Sequence, residues 1–176
     1  METEQFERAP KPTKAETESL SFQLAILKDE LEHIQNTIAR MDEITQTTKN
    51  WAILVWGGSV LLALGDPVLR DYLFFTALLP LLFWYIDGRW RYLQRRSSFR
   101  ARKISQFLND GRLTDSFQMG KLTNFTVYDP IGSQYDAKKD PDYANYVSMR
   151  KALSYAEVMG FYGALVLVSI FLALIF

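Results

Sequence analysis

The chain has 176 residues, enough for one domain with a small appendage, and its formal charge is zero, with 20 Lys plus Arg against 20 Asp plus Glu. There is no cysteine, which excludes disulfides, thiolate metal sites and cysteine nucleophiles, and a single histidine, His33, argues against a zinc site or a His-dependent triad within one chain. Mean hydropathy is −0.08, the value of an ordinary soluble domain, yet the apolar residues are gathered into blocks with Trp and Tyr at their edges.

In chain order, residues 1–13 are polar, carry Pro10 and Pro12, and read as a disordered tail without a signal peptide. Residues 14–50 are expected to form a cytosolic coiled-coil helix. Leu24, Leu31 and Ile38 fall at a and Leu20, Leu27, Ile34 and Met41 at d of a heptad repeat, and Thr45 and Thr48 continue the register. This face suits self-association into an oligomer of four or more subunits; packing on another part of the same chain is the competing reading. His33 falls at c, on the solvated side. No Pro or Gly separates the helix from the apolar block Trp51 to Leu64, so one continuous helix, roughly 75 Å long, is expected.

Residues 51–87 read as a transmembrane hairpin. Gly65-Asp66-Pro67 ends the first span, Arg70 and Asp71 close a tight loop, and a second block runs from Tyr72 to Ile86, where Pro80 is expected to kink it and Trp84 and Tyr85 to mark the interface. Carrying the heptad into the membrane places Ala52, Val55, Ser59, Leu62 and Asp66 on one seam. In an oligomer these residues would line an axial pore with a ring of Asp66 carboxylates at its mouth, a recurring element of cation pathways. Close helix packing through Gly57, Gly58 and Ser59 accounts for the same pattern.

Residues 88–108 are expected to continue the second span outward as a basic amphipathic helix. Arg89, Arg91, Arg95, Arg96, Arg100, Arg102 and Lys103 form a cluster suited to anionic lipid headgroups or to another anionic ligand, such as a nucleotide or oligonucleotide. Asn109-Asp110-Gly111 stops this helix. Residues 109–140 read as an irregular cytosolic segment with a short β-hairpin around Lys121 to Tyr128 and turns at Asp129-Pro130 and Gly132-Ser133. In the stretch Tyr128 to Tyr146, Asp129, Asp136, Asp140 and Asp142 lack the spacing of a calcium loop and are assigned to turns and caps. Asp140 and Pro141 start a last helix over residues 141–176, whose apolar part, Val158 to Phe176, is long enough to span. Ala152, Ala156, Gly160 and Ala164 make a small-residue stripe for close helix packing. The excess of Arg and Lys after the hairpin places the N-terminus in the cytoplasm and the C-terminus outside.

The fold class is therefore an all-α integral membrane protein with three spans, with the lipid bilayer and further copies of the chain as partners. No catalytic residues, metal site or cofactor are expected. The hairpin Trp51 to Asp87, its short loop and the basic helix after it resemble the layout of the SLATT-type small bacterial membrane effectors of nucleotide-linked defence systems. That resemblance implies an oligomer in the bacterial inner membrane that permeabilises it when a signal, a nucleotide or a cytosolic protein partner, reaches its cytosolic part. A non-conducting membrane-anchored scaffold that recruits a soluble partner is the alternative.

Overall fold

The computed structural model describes residues 12–130 and 134–176, and the elements below are those of the described residues. Helix takes up about 81% of them, and none lies in a strand. Helix α1 runs unbroken over Lys14–Gly65, 52 residues. It starts at a reciprocal cap: the Thr13 hydroxyl accepts the Glu16 amide at 3.3 Å, and the Glu16 carboxylate accepts the Thr13 amide at 2.7 Å. Of the tail expected over residues 1–13, only Pro12 and Thr13 lie within the described residues.

The connection after α1 is more structured than a tight loop. Asp66 caps the short helix α2, Pro67–Arg70, by accepting the Val68 amide at 2.9 Å, and a 3-10 turn, Leu73–Ala77, leads into α3, Leu78–Leu108. Pro80 is thus the third residue of α3 rather than a kink within a span. At that position the amide it lacks belongs to the first turn, where a proline is tolerated.

Helices α1 and α3 are antiparallel. Ala52 packs against Phe83 and Trp84, Asp42 accepts from the Gln94 amide at 2.8 Å, Glu30 meets Arg100, and Leu27 shares a cluster with Phe107. Residues 111–119 form α4, Gly111–Met119, closed by Gly120 in the left-handed conformation (φ 66°). The hairpin expected around Lys121 to Tyr128 is not formed. Leu122 and Phe125 instead turn onto the α1–α3 core, and Asn124 and Tyr128 take positive φ, which an extended strand cannot accommodate. Gly132 and Ser133 lie outside the described residues.

The last helix is also divided. Asp140 caps α5, Pro141–Tyr146, accepting the amides of Asp142 and Tyr143 at 3.0 and 3.1 Å; α6 covers Met149–Leu153 and α7 covers Ala156–Ile175. The break at Ser154 and Tyr155 separates Ala152, buried on α6, from Ala156, Gly160 and Ala164, which are exposed on α7. The small-residue stripe is therefore not one helix face. The C-terminal helix is long and apolar enough to cross a membrane. It runs alongside the end of α1: Val158 and Tyr162 enclose Ala52, and the Trp56 indole donates to the Ser169 hydroxyl at 2.7 Å.

Candidate functional site

The heptad face of α1 is occupied by its own chain. Leu20, Leu27 and Ile34, three of the d residues, are 0–2% exposed, and Leu27 and Ile34 form a core with Ile104 and Phe107 of α3. Leu31 and Ile38 flank that core, and Leu24 and Met41 are half-buried. Further along, the buried face drifts off the heptad. Ala52 is buried, but the next buried positions are Val60 and Ala63, whereas Val55, Leu62 and Asp66 are exposed and Ser59 is half-buried. A straight helix rotates by about 20° per heptad relative to a strict seven-residue repeat, about one residue over five heptads. The seam extrapolated from the sequence thus does not stay on one side of the helix.

The basic helix divides three ways. Arg89 and Arg102 are exposed. Arg91 and Arg95 pack beneath aromatic rings, with Arg91 Cζ 5.1 Å from the Tyr155 centroid and Arg95 Cζ 4.8 Å from that of Tyr146. Arg96 is half-buried, and Lys103 lies 5.0 Å from the Phe99 centroid. Arg100 is fully buried and forms the polar centre of the antiparallel α1–α3 pair, the stalk of the molecule.

That centre links three segments. The Glu30 carboxylate, 0% exposed, accepts Arg100 Nε at 2.7 Å and Nη2 at 2.9 Å, a bidentate fork. The same two oxygens accept the backbone amides of Tyr128 at 2.9 Å and Asp129 at 2.8 Å. Arg100 Nη2 also donates to the Thr126 carbonyl at 2.7 Å and Nη1 to the Tyr135 hydroxyl at 3.3 Å. Burial acts to lower the Arg100 pKa, and the hydrogen bonds with Glu30 and Tyr135 outweigh it, so the guanidinium sits above its ordinary value. Burial raises the Tyr135 phenol, which stays neutral at physiological pH. Phe125 lies under the guanidinium, 4.8 Å from its centroid to Cζ.

The backbone at Tyr128 has φ 64°, a conformation that costs a non-glycine residue about 1–2 kcal/mol. The Glu30 oxygen holds it there through the Tyr128 amide. The segment after α4 is therefore latched onto the stalk by one buried carboxylate. Beside the latch lies a polar cleft of about 210 Å³ lined by Arg100, Lys103, Arg112, Gln134, Tyr135 and Asp140.

Sequence reasoning placed Arg100 in the basic cluster and missed Glu30, which occupies heptad position g. No spacing marks it out, because its burial depends on a segment 98 residues further along the chain. The aspartates act as turn and cap acceptors: Asp129 accepts the Gln134 amide at 3.0 Å and Asp136 the Lys138 amide at 2.9 Å. No protein-family model, curated protein or solved structure matches this chain.

Proposed function

We propose that the chain is a membrane-anchored helical adaptor: three helices hold it in the bilayer, and a cytosolic α1–α3 stalk presents the latched segment 120–130 to a soluble partner. The observation that carries this reading is the burial of Leu27, Ile34 and Ala52 against the chain's own α3 and α7, with Leu20 buried on the same face, which uses up the face that a central oligomer axis would need. Support for three embedded helices comes from the exposed apolar residues at the level of α7. Ile53, Leu54, Leu61 and Leu62 on α1 and Leu78, Leu81 and Leu82 on α3 continue the apolar surface of Leu167, Phe171 and Leu174 on α7. In water such a surface would be a large liability; in lipid it is the expected exterior. The basic residues after the hairpin orient the stalk to the cytoplasm, and the layout shared with small bacterial effectors favours the inner membrane.

A second reading, a channel-like homo-oligomeric effector of anti-phage defence, draws on a different observation. The a residues Leu24 and Leu31 line an open apolar groove of about 290 Å³ with Leu108, Leu113 and Phe117, which leaves a second edge of α1 free for another copy. Native mass spectrometry and conductance of reconstituted liposomes separate the two. The adaptor reading expects a small or monomeric species and silent liposomes. A defined oligomer of four or more subunits that falls apart on Leu24→Asp and Leu31→Asp, with conductance altered by Asp66→Asn, would establish the pore instead.

A further inference from the structure

Where α3 leaves the apolar layer, its next two turns face the start of α7 across a small cleft. Arg91, Gln94, Arg95 and Ser98 form one helical face, spaced three, four and seven residues apart, and Tyr146 and Tyr155 close the other side around about 220 Å³. Tyr155 is the residue immediately before α7, so the cleft lies at the end of the helix that is apolar enough to cross a membrane. The Trp84 indole, which donates to the Leu153 carbonyl at 2.9 Å, ties α6 to α3 just below it.

The two arginines are oriented and neither is closely salt-bridged, although the buried Asp87 carboxylate one turn earlier on α3 offsets part of the Arg91 charge. Arg95 Nε donates to the Tyr146 carbonyl at 2.7 Å, an uncharged partner that fixes the side chain and leaves its charge uncompensated. Arg91 has a buried Nε without a hydrogen-bond partner, and its sole ion pair among the described residues is long, 3.9 Å to Glu157, a carboxylate that is 70% exposed. The Gln94 amide is turned to Asp42. Two arginines thus line one cleft, each held against a tyrosine ring, with Ser98 on the same wall and the loosely held Glu157 carboxylate beside Arg91.

We propose that this cleft binds a phosphate group, supplied by the headgroup of an anionic phospholipid. Arginine presents paired donors matched to phosphate oxygens, and the position at the boundary of the apolar layer is where headgroup phosphates lie. Of the seven basic residues on α3, Arg91 and Arg95 are the ones that form the site, whereas Arg100 is committed to Glu30. The assignment rests on reading α7 as a membrane helix.

The test is native mass spectrometry of the full chain released from detergent micelles containing equal amounts of phosphatidylglycerol and phosphatidylcholine, with a phosphatidylglycerol titration. The wild type is expected to retain phosphatidylglycerol selectively. Arg91→Gln with Arg95→Gln is expected to weaken retention about thirtyfold, the effect of two basic side chains near an anionic surface. Ser98→Glu, which removes no arginine but places a like charge in the cleft, is expected to do the same, and Lys138→Gln with Lys139→Gln to do nothing. Adding inorganic phosphate distinguishes the source. No displacement at millimolar phosphate supports a lipid headgroup, whereas full displacement overturns it in favour of a soluble phosphate. Equal retention of both lipids, or variants that bind as the wild type does, would overturn the site altogether. A chain that stays monodisperse without detergent would remove the membrane reading of α7 and overturn the headgroup assignment with it, whereas failure of the arginine variants alone overturns the site and leaves that reading in place.

Discussion

The Arg100 guanidinium and the Glu30 carboxylate are joined by two hydrogen bonds, at 2.7 and 2.9 Å, with both side chains fully buried 70 residues apart in sequence. Neither charge can be left alone at that depth. Removing one partner of such a pair costs about 3–5 kcal/mol because the other stays buried and uncompensated. Glu30→Ala and Arg100→Ala should each destabilise the stalk by that amount, and the double variant by less than the sum. Denaturant unfolding of the detergent-solubilised chain, followed by circular dichroism, measures both.

The same pair governs the segment beyond α4. With Glu30→Gln, the acceptor for the amides of Tyr128 and Asp129 loses its charge and one of its two oxygens. Those two amides should exchange with solvent much faster than in the wild type, while amides around Ala52 and Val158 keep their protection. Hydrogen exchange that rises equally over the whole chain would show global unfolding rather than release of the latch.

The start of α1 carries a local pH dependence. The Thr13 backbone amide and then its hydroxyl, both donating to Glu16, hold the Glu16 carboxyl below its ordinary range. A group whose pKa is depressed by folding contributes stability above its unfolded pKa and loses it as pH falls through the folded value. The first turn of α1 should therefore fray as pH drops below the usual carboxylate range, and Glu16→Gln should remove that dependence. Exchange rates at residues 14–18, read against pH, check it.

The gross architecture was legible because its causes are local. Apolar periodicity with no Gly or Pro between Lys14 and Trp56 carries α1 without a break into the apolar block, Gly65-Asp66-Pro67 ends it at Gly65, and Asn109-Asp110-Gly111 ends α3 at Leu108. What the periodicity leaves open is the identity of the surface that the apolar face meets: a heptad of Leu and Ile packs as well on α3 as on another copy. The β-hairpin expectation failed because weak alternation at Leu122, Phe125 and Val127 carries no signal of the Glu30 carboxylate that captures Tyr128 and Asp129. The break in the last helix at Ser154 and Tyr155 lacks a proline or glycine, so it too is a tertiary effect, with α6 drawn to α3 through Trp84 and Leu153.

Two glycines sit where a methyl group has no room. A Cβ on Gly120 would lie 2.6 Å from the Glu16 Cβ, at a φ of +66° that already disfavours other residues, and a Cβ on Gly88 would collide with the Leu153 side chain. Gly120→Ala should lower stability by about 1 kcal/mol or more and loosen α4 from the start of α1. Gly88→Val should push α6 away and break the Trp84–Leu153 hydrogen bond. A change in Trp fluorescence that accompanies Gly88→Val but not Gly120→Ala is the expected pattern.

The Trp56 indole of α1 donates to Ser169 of α7 at 2.7 Å, a bond that the proposed function puts in the bilayer. Interhelical hydrogen bonds in this setting average about 0.6 kcal/mol, because the separated helices find other partners in the membrane. Ser169→Ala should accordingly cost little, whereas Leu27→Ala, which empties a fully buried position in the stalk, should cost about 2–5 kcal/mol. Steric-trap or denaturant unfolding of the two variants in matched detergent gives the comparison.

The central claim is that the heptad face of α1 is satisfied by α3 of the same chain. Because the chain has no cysteine, Ile34→Cys and Ile104→Cys can be introduced together and alone, and disulfide formation read in native membranes under mild oxidation. The account predicts an intramolecular bond in the double variant, seen as a mobility shift of the monomer, and no dimer from Ile34→Cys alone. Efficient dimer formation by Ile34→Cys alone, with no intramolecular bond in the double variant, would contradict it and return the heptad to an interface between copies.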